Sequence, residues 1–305
     1  MGHILPGRHV GSFSVRELPN ELVLPEAMAP VIQPGQPPVT PKEAATVILI
    51  RDSAAGPEVF LLRRVVGMAF AGGMTVFPGG GVDRRDADTS VAWTGPAPDW
   101  WADRFRCDVG LARALVCAAV RETFEESGVL LAGADPDSVV ADTAAYAGAR
   151  AALEARDLSL AGFLAAHELV LRADLLRPWA NWLTPQEEIR RYDTRFFLAE
   201  VPAGQRADGS TSEADHAGWR RPADAIEDWR AGRRGLLPPT WVTLADLAEY
   251  DSVAAAMAAT REIDKVMPKV IREHGVLRVV LPGDPRYGTA AAHLDARPGD
   301  RLERT

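Results

Sequence analysis

The chain has 305 residues, is 47% hydrophobic and carries a formal net charge of −8. That length suits one large domain or two small ones with a sizeable core, and the acidic balance excludes a general nucleic-acid binder. No apolar run is long enough to span a membrane, and Cys107 and Cys117 fit neither a disulfide framework nor a zinc site.

Residues 1–43 are rich in Pro and Gly and read as an extended arm, with a short strand near Glu21–Leu24. The N-terminus lacks a signal-peptide core and the C-terminus lacks a peroxisomal tripeptide, so a cytoplasmic location is expected. Ala44–Ile50 is a continuous apolar run, a buried strand. A turn at Ser53–Gly56 leads to a second strand, Glu58–Val66, and Met74–Phe77 forms a third that ends at Pro78. Glycines 79 to 81 follow as a turn. Residues 87–108, with Trp93, Trp100 and Trp101, read as an inserted loop with a short helix at Asp99–Arg106 and its tryptophans docked on the domain.

A helix is expected from about Val109 to Ser127, capped by Asp108 and stopped by Gly128. Helical spacing continues over Ala141–Arg156 and Leu160–His167. Strands are expected at Leu175–Leu183, Arg195–Val201 and Ala217–Arg220, with a polar loop at Gly204–Ser212. Pro222 and Pro238 each open a helix, the second running through Leu244 and Leu247 and continuing towards Ile263. One more strand, Val276–Leu281, precedes a polar tail.

The helix at Val109–Ser127 carries the chemistry. Glu122, Glu125 and Glu126 share one arc of about 100° on a helix that turns roughly 100° per residue. Converging carboxylates repel and raise one another's pKa. An all-oxygen set of this kind suits Mg²⁺ or Mn²⁺ rather than zinc; a solvated acidic face is the alternative. Arg121 lies one turn before Glu125 and can brace it, and Val116, Val120 and Phe124 line the opposite, core-facing side.

The segment Arg121-Glu122-Thr123-Phe124-Glu125-Glu126-Ser127-Gly128-Val129, preceded by Phe77-Pro78-Gly79-Gly80, resembles the box of the Nudix hydrolases. Two departures stand out. Asp86 replaces the first Glu of the pattern, and 34 residues rather than seven separate it from Arg121. Thr123 also occupies a usually apolar position. An insertion inside the box is similar to that of the branch containing the peroxisomal coenzyme A diphosphatase. Leu61-Leu62-Arg63-Arg64, Trp182-Leu183-Thr184-Pro185, Arg191 to Phe197 and Leu237-Pro238-Pro239-Thr240 are similar to that branch as well. Its coenzyme A signature is partly kept: Arg64 and Gly73 match, whereas Val65 and Ala69 depart from it.

The resemblance implies an α/β fold, a Nudix α/β/α sandwich with a mixed curved sheet, an insertion within the box and extra helices. The implied domain spans 44–255, with 256–305 a helix end and tail. The implied reaction is Mg²⁺- or Mn²⁺-dependent hydrolysis of the diphosphate bond in a small nucleoside diphosphate derivative, coenzyme A or acyl-coenzyme A being candidates. ADP-ribose or NADH-type substrates, and a non-catalytic nucleotide sensor, are the alternatives, and a homodimer stays open. By this analogy Glu122, Glu125, Glu126 and the Gly79 carbonyl hold metal. Arg121 orients the carboxylates and Glu213 is the outside acid, with Asp215 and His216 as competitors. Arg63, Arg64, Phe77, Gly80 and Arg191 are the expected substrate contacts.

Overall fold

A computed structural model of the chain describes residues 18–19, 22–24, 37–67 and 71–290. Its strands begin with β1 Val23–Leu24, β2 Lys42–Ser53, β3 Gly56–Arg64, β4 Met74–Val76, β5 Gly79–Gly81 and β6 Trp93–Thr94. The middle of the chain adds β7 Ala132–Gly133, β8 Val170–Arg172, β9 Leu176–Leu183, β10 Tyr192–Glu200 and β11 Ala214–Arg220. The last are β12 Gly235–Leu236, β13 Lys265–Val266, β14 Lys269–Glu273 and β15 Val276–Val280. The α-helices are α1 Pro98–Phe105, α2 Val109–Ser127, α3 Ala147–Glu154, α4 Leu160–Ala166, α5 Pro222–Arg230, α6 Pro238–Leu247 and α7 Val253–Met257.

The main sheet runs β12-β4-β3-β2-β10-β9-β13, with β11 paired to β3 and β5 to β2. It is mixed: β2 and β3 form the hairpin closed at Ser53–Gly56, whereas β2 and β10 run parallel. Alternation along β2 sorts its side chains to two faces. Ala45, Val47 and Leu49 join a core with Leu115, Val116, Ala119 and Val120 of α2. Ile48 and Ile50 join a second core with Ile226 of α5, Leu244 and Leu247 of α6 and Val253 of α7. Helices therefore cover both faces, the expected three-layer sandwich. Among the described residues no helix is long and apolar enough to cross a membrane.

The insertion between the glycine turn and α2 is built into the first core. Trp101 is fully buried against Phe105 and Phe197, at ring-centroid distances of 6.2 and 5.5 Å. The indole N–H groups of Trp93 and Trp101 both donate to the Pro96 carbonyl, so their polar edges are satisfied where their rings are covered. Strand β6 pairs with β8, in register from Trp93 to Leu171, which ties the insertion to the chain beyond α2.

Several boundaries differ from the sequence expectation. The helix expected to reach Ile263 breaks after Leu247, restarts where the Ser252 side chain caps Ala255 N–H, and ends at Met257. Ile263 is buried in the first core instead. Residues expected in a helix end and tail supply β13, which pairs with β9, and β14, which pairs with β15. Strand β1, the short strand expected near Glu21–Leu24, pairs with β15. Strand β13 has two residues, too few to show periodicity, and its partner β9 is distant in sequence, whereas β14 closes a short hairpin with β15. The helix expected at Ala141–Arg156 starts only at a 3-10 turn from Ala144. Most of the expected arm and the last residues of the expected tail, together with Ala69, lie outside the described residues.

Candidate active site

Helix α2 begins and ends as its local sequence dictates. The Asp108 carboxylate accepts from Leu111 N–H at 2.8 Å. Gly128 adopts φ 72°, the left-handed conformation that glycine takes without strain. Thr123, the polar residue at a usually apolar position, is fully buried, and its hydroxyl donates to the Ala119 carbonyl one turn back. The substitution thus adds no unsatisfied group to the core.

The glycine turn lies directly against the acidic face of this helix. Strand β5 is paired with Ala44 to Thr46 of β2. From there Gly79 N–H donates to the Glu126 carboxylate at 2.7 Å. A methyl group at Gly80 would stand 2.6 Å from the carboxylate of Glu122. A side chain here would displace that carboxylate, which occupies its space.

Arg121 is nearly buried and binds four groups. Its Nε and Nη2 donate to the two oxygens of Asp86, both at 2.9 Å. Its Nη1 reaches Glu122 at 2.8 Å and Glu125 at 3.3 Å, and Nη2 also donates to the Gly81 carbonyl at 2.9 Å. Burial opposes the guanidinium charge, but these carboxylates outweigh it and keep the group firmly protonated. Asp86, the shortened member of the box, is therefore the anchor of Arg121. A capping box shapes it: Asp83 caps Arg85 N–H while Asp86 accepts from Asp83 N–H at 2.8 Å.

Burial also dominates the helix carboxylates. It lifts Glu122 to about 7, with Arg121 pulling down and the Glu125 charge pushing up. Burial raises Glu125 against the same arginine. Glu126 is raised well above the usual range by burial and then by the Glu122 charge, with the Gly79 N–H opposing. The donor set, three desolvated carboxylates and backbone oxygens, fits a hard divalent cation. Among the described residues no three acidic, histidine or cysteine side chains converge as a formed cation cage. The arrangement is the ion-paired one, with Glu122 and Glu125 turned to Arg121 and Glu126 to Gly79.

Strand β11 brings the loop acid to this face. Val65 N–H donates to the Glu213 carbonyl at 3.0 Å, and the Glu213 carboxylate pairs with Arg64 at 3.0 Å. The charges of Glu213 and Arg64 both reach Glu126. One buried donor of Arg64, Nε, has no acceptor. Arg63 pairs with Asp215 at 2.6 Å nearer the surface, and His216 is exposed opposite it in register.

Two expected contacts are placed elsewhere. Phe77 is a core residue among Leu61, Trp179 and Trp241 on the far face of the sheet, because it follows Val76 in the alternation. Arg191 donates to the carbonyls of Thr184, Pro185 and Val39, at 3.2, 3.0 and 2.8 Å, and is nearly buried. It fastens the turn before β10 and has no donor directed at the carboxylates.

Two residues beside the site carried no signal in the sequence. Arg150 of α3 donates from Nε to the Glu125 backbone carbonyl at 2.9 Å. Glu154, one turn on, accepts from the loop that carries Glu213. Only their spacing of four on a helix was visible.

Comparison with known proteins agrees with this geometry. The family model of the NUDT19 Nudix domain matches residues 108–247. An acyl-coenzyme A diphosphatase NUDT19 of Xenopus laevis is 25% identical over 75% of this chain and 71% of that protein. The Gallus gallus protein of the same name is 27% identical over 81% of this chain and 79% of its own length. The crystal structure of a NUDIX hydrolase from Alicyclobacillus acidocaldarius superposes with a TM-score of 0.59 at 26% identity, covering 73% of this chain and 98% of that one. With the glycine turn, the Arg121–Asp86 anchor and the acidic arc on α2 in their places, these matches support a Nudix hydrolase of the NUDT19 branch.

Proposed function

We propose that this Nudix hydrolase is a diphosphatase that cleaves a nucleoside diphosphate linked to another group, using Mg²⁺ or Mn²⁺. The observation that carries this reading is the buried Arg121 held among Asp86, Glu122 and Glu125. A protein that only binds nucleotides has no use for three desolvated carboxylates that disfavour their own charge. That argues against the sensor alternative.

In this reading Glu122, Glu125 and Glu126 would hold the metal, together with the Gly79 carbonyl. A cation held there would neutralise phosphate oxygens and acidify the attacking water. Arg121 keeps the carboxylates oriented. Glu213 accepts the proton of the water as its oxygen bonds to one phosphorus, and the bridging P–O bond breaks to release the second phosphate. Arg63 and Arg64 offer guanidinium donors to the phosphates, and Gly80 leaves room beside Glu122.

Coenzyme A or acyl-coenzyme A is the leading substrate class, on the strength of the Xenopus and Gallus relatives' names. Val65 and Ala69, the departures from the coenzyme A signature, keep ADP-ribose and NADH as the second reading. The test is turnover of coenzyme A, acyl-coenzyme A, NADH, ADP-ribose and dinucleoside polyphosphates with each metal. Release of 3′,5′-ADP from coenzyme A or its esters is expected. Turnover of another compound with none from these two would overturn the substrate assignment.

A further inference from the structure

We propose that Glu154 is a positioning residue that holds Glu213 over the carboxylates of α2; the inference rests on the reading of that site given above. Glu154 ends α3, outside the box. One of its oxygens, Oε1, accepts from Ser212 N–H at 2.9 Å, from the Ser212 hydroxyl at 2.7 Å and from the Thr211 hydroxyl at 3.4 Å. The next residue is Glu213, whose carboxylate pairs with Arg64.

The loop needs such a hold. Asp208 to Glu213 reads Asp-Gly-Ser-Thr-Ser-Glu and contains no helix or strand. A segment of this composition loses much conformational entropy when ordered. Its start is also fastened to α3 and α2. Arg150 donates to the Asp208 carboxylate at 2.8 and 3.0 Å, and Asp208 N–H donates to the Ser127 carbonyl at 2.9 Å. Because Arg150 also donates to the Glu125 carbonyl, one helical turn of α3 holds both the end of α2 and both ends of the loop. With Val65 N–H and Arg64 holding Glu213 from the end of β3, α3 fixes the loop side of the separation between Glu213 and the α2 carboxylates. Arg150 fixes the helix end, and Glu154 fixes the residue adjoining Glu213.

The donors to Glu154 are uncharged, so an amide oxygen can replace the carboxylate. Glu154→Ala is expected to lower kcat/KM by about tenfold or more, whereas Glu154→Gln stays within about threefold of wild type. In a Glu213→Gln background the added Glu154→Ala change is expected to cost less than about twofold, since residues acting through one group are non-additive. A full independent loss in that background, or wild-type kcat/KM for Glu154→Ala, overturns the proposal. A second readout needs no substrate. Amide hydrogen exchange over 209–213 is expected to accelerate in Glu154→Ala while α2 stays protected, and unchanged exchange there overturns the proposal too. If the wild-type protein turns over none of the diphosphate compounds with metal, the functional reading fails while the exchange result still decides the hold on the loop.

Discussion

Asp86 accepts from Nε and Nη2 of the Arg121 guanidinium, at 2.9 Å each, from 35 positions away in the chain. The pair closes the box across the insertion. It joins the turn that follows the glycines to the turn of α2 that carries Glu122 and Glu125, and the side chains of both residues are nearly or fully buried. Breaking a buried pair from one side leaves an uncompensated charge, a loss of about 3–5 kcal/mol. Arg121 keeps Glu122, Glu125 and the Gly81 carbonyl, so Asp86→Ala is expected near the lower end, about 3 kcal/mol. Urea denaturation checks it; a change below about 1 kcal/mol would show that the pair is not the anchor.

Glu125→Gln keeps size and helix propensity but removes the charge that Arg121 braces. Its fold should be intact by circular dichroism, with hydrolysis reduced by about 100-fold or more. Mg²⁺ should raise the Tm of the wild-type protein, because a ligand of the native state alone stabilises it, and that rise should disappear in the variant. Turnover retained by Glu125→Gln would remove this residue from the site.

Gly80→Ala separates packing from chemistry. The new methyl would lie 2.6 Å from the Glu122 carboxylate, the movable end of a side chain. Stability should change by less than about 1 kcal/mol, while displacement of the carboxylate should lower kcat by about tenfold or more. Thermal unfolding and steady-state kinetics on one preparation measure both; unaltered kcat would show that the position of Glu122 is not critical.

The second core has its own pH signature. Burial works against the charge of Asp228, but hydrogen bonds from Arg233, Arg220 and Arg234 outweigh it and hold the carboxyl at about 2. With the folded pKa depressed, the native state binds fewer protons than the unfolded chain, so the contribution is present above the unfolded value and lost as pH falls. The stability gap between wild type and Asp228→Asn should be largest at neutral pH. It should narrow between about pH 4 and pH 2. Denaturant midpoints across that range test it, and a gap that stays constant to pH 2 contradicts the assignment.

Local chemistry made much of this protein legible from its residues. Asp108 and Gly128 bound α2 in the structure as they do in the sequence, because caps act within a few residues. Strands β2 and β3 and the hairpin between them follow from apolar runs and a turn. The acidic arc and Arg121, spaced on one helix, together with the glycine turn ahead of it, carried the resemblance to the Nudix hydrolases. Tertiary structure decided the rest. Asp86 acquires its role from a partner beyond a 22-residue insertion that folds into the core, 87–108. Phe77 faces the opposite core because of its place in the strand alternation, and Arg191 binds carbonyls brought together by the turn before β10. Glu154 and Arg150 look like any surface pair four residues apart until α3 is laid against the end of α2. Caps and periodicity are properties of neighbouring residues, whereas hydrogen-bond partners distant in the chain are set only when the layers pack.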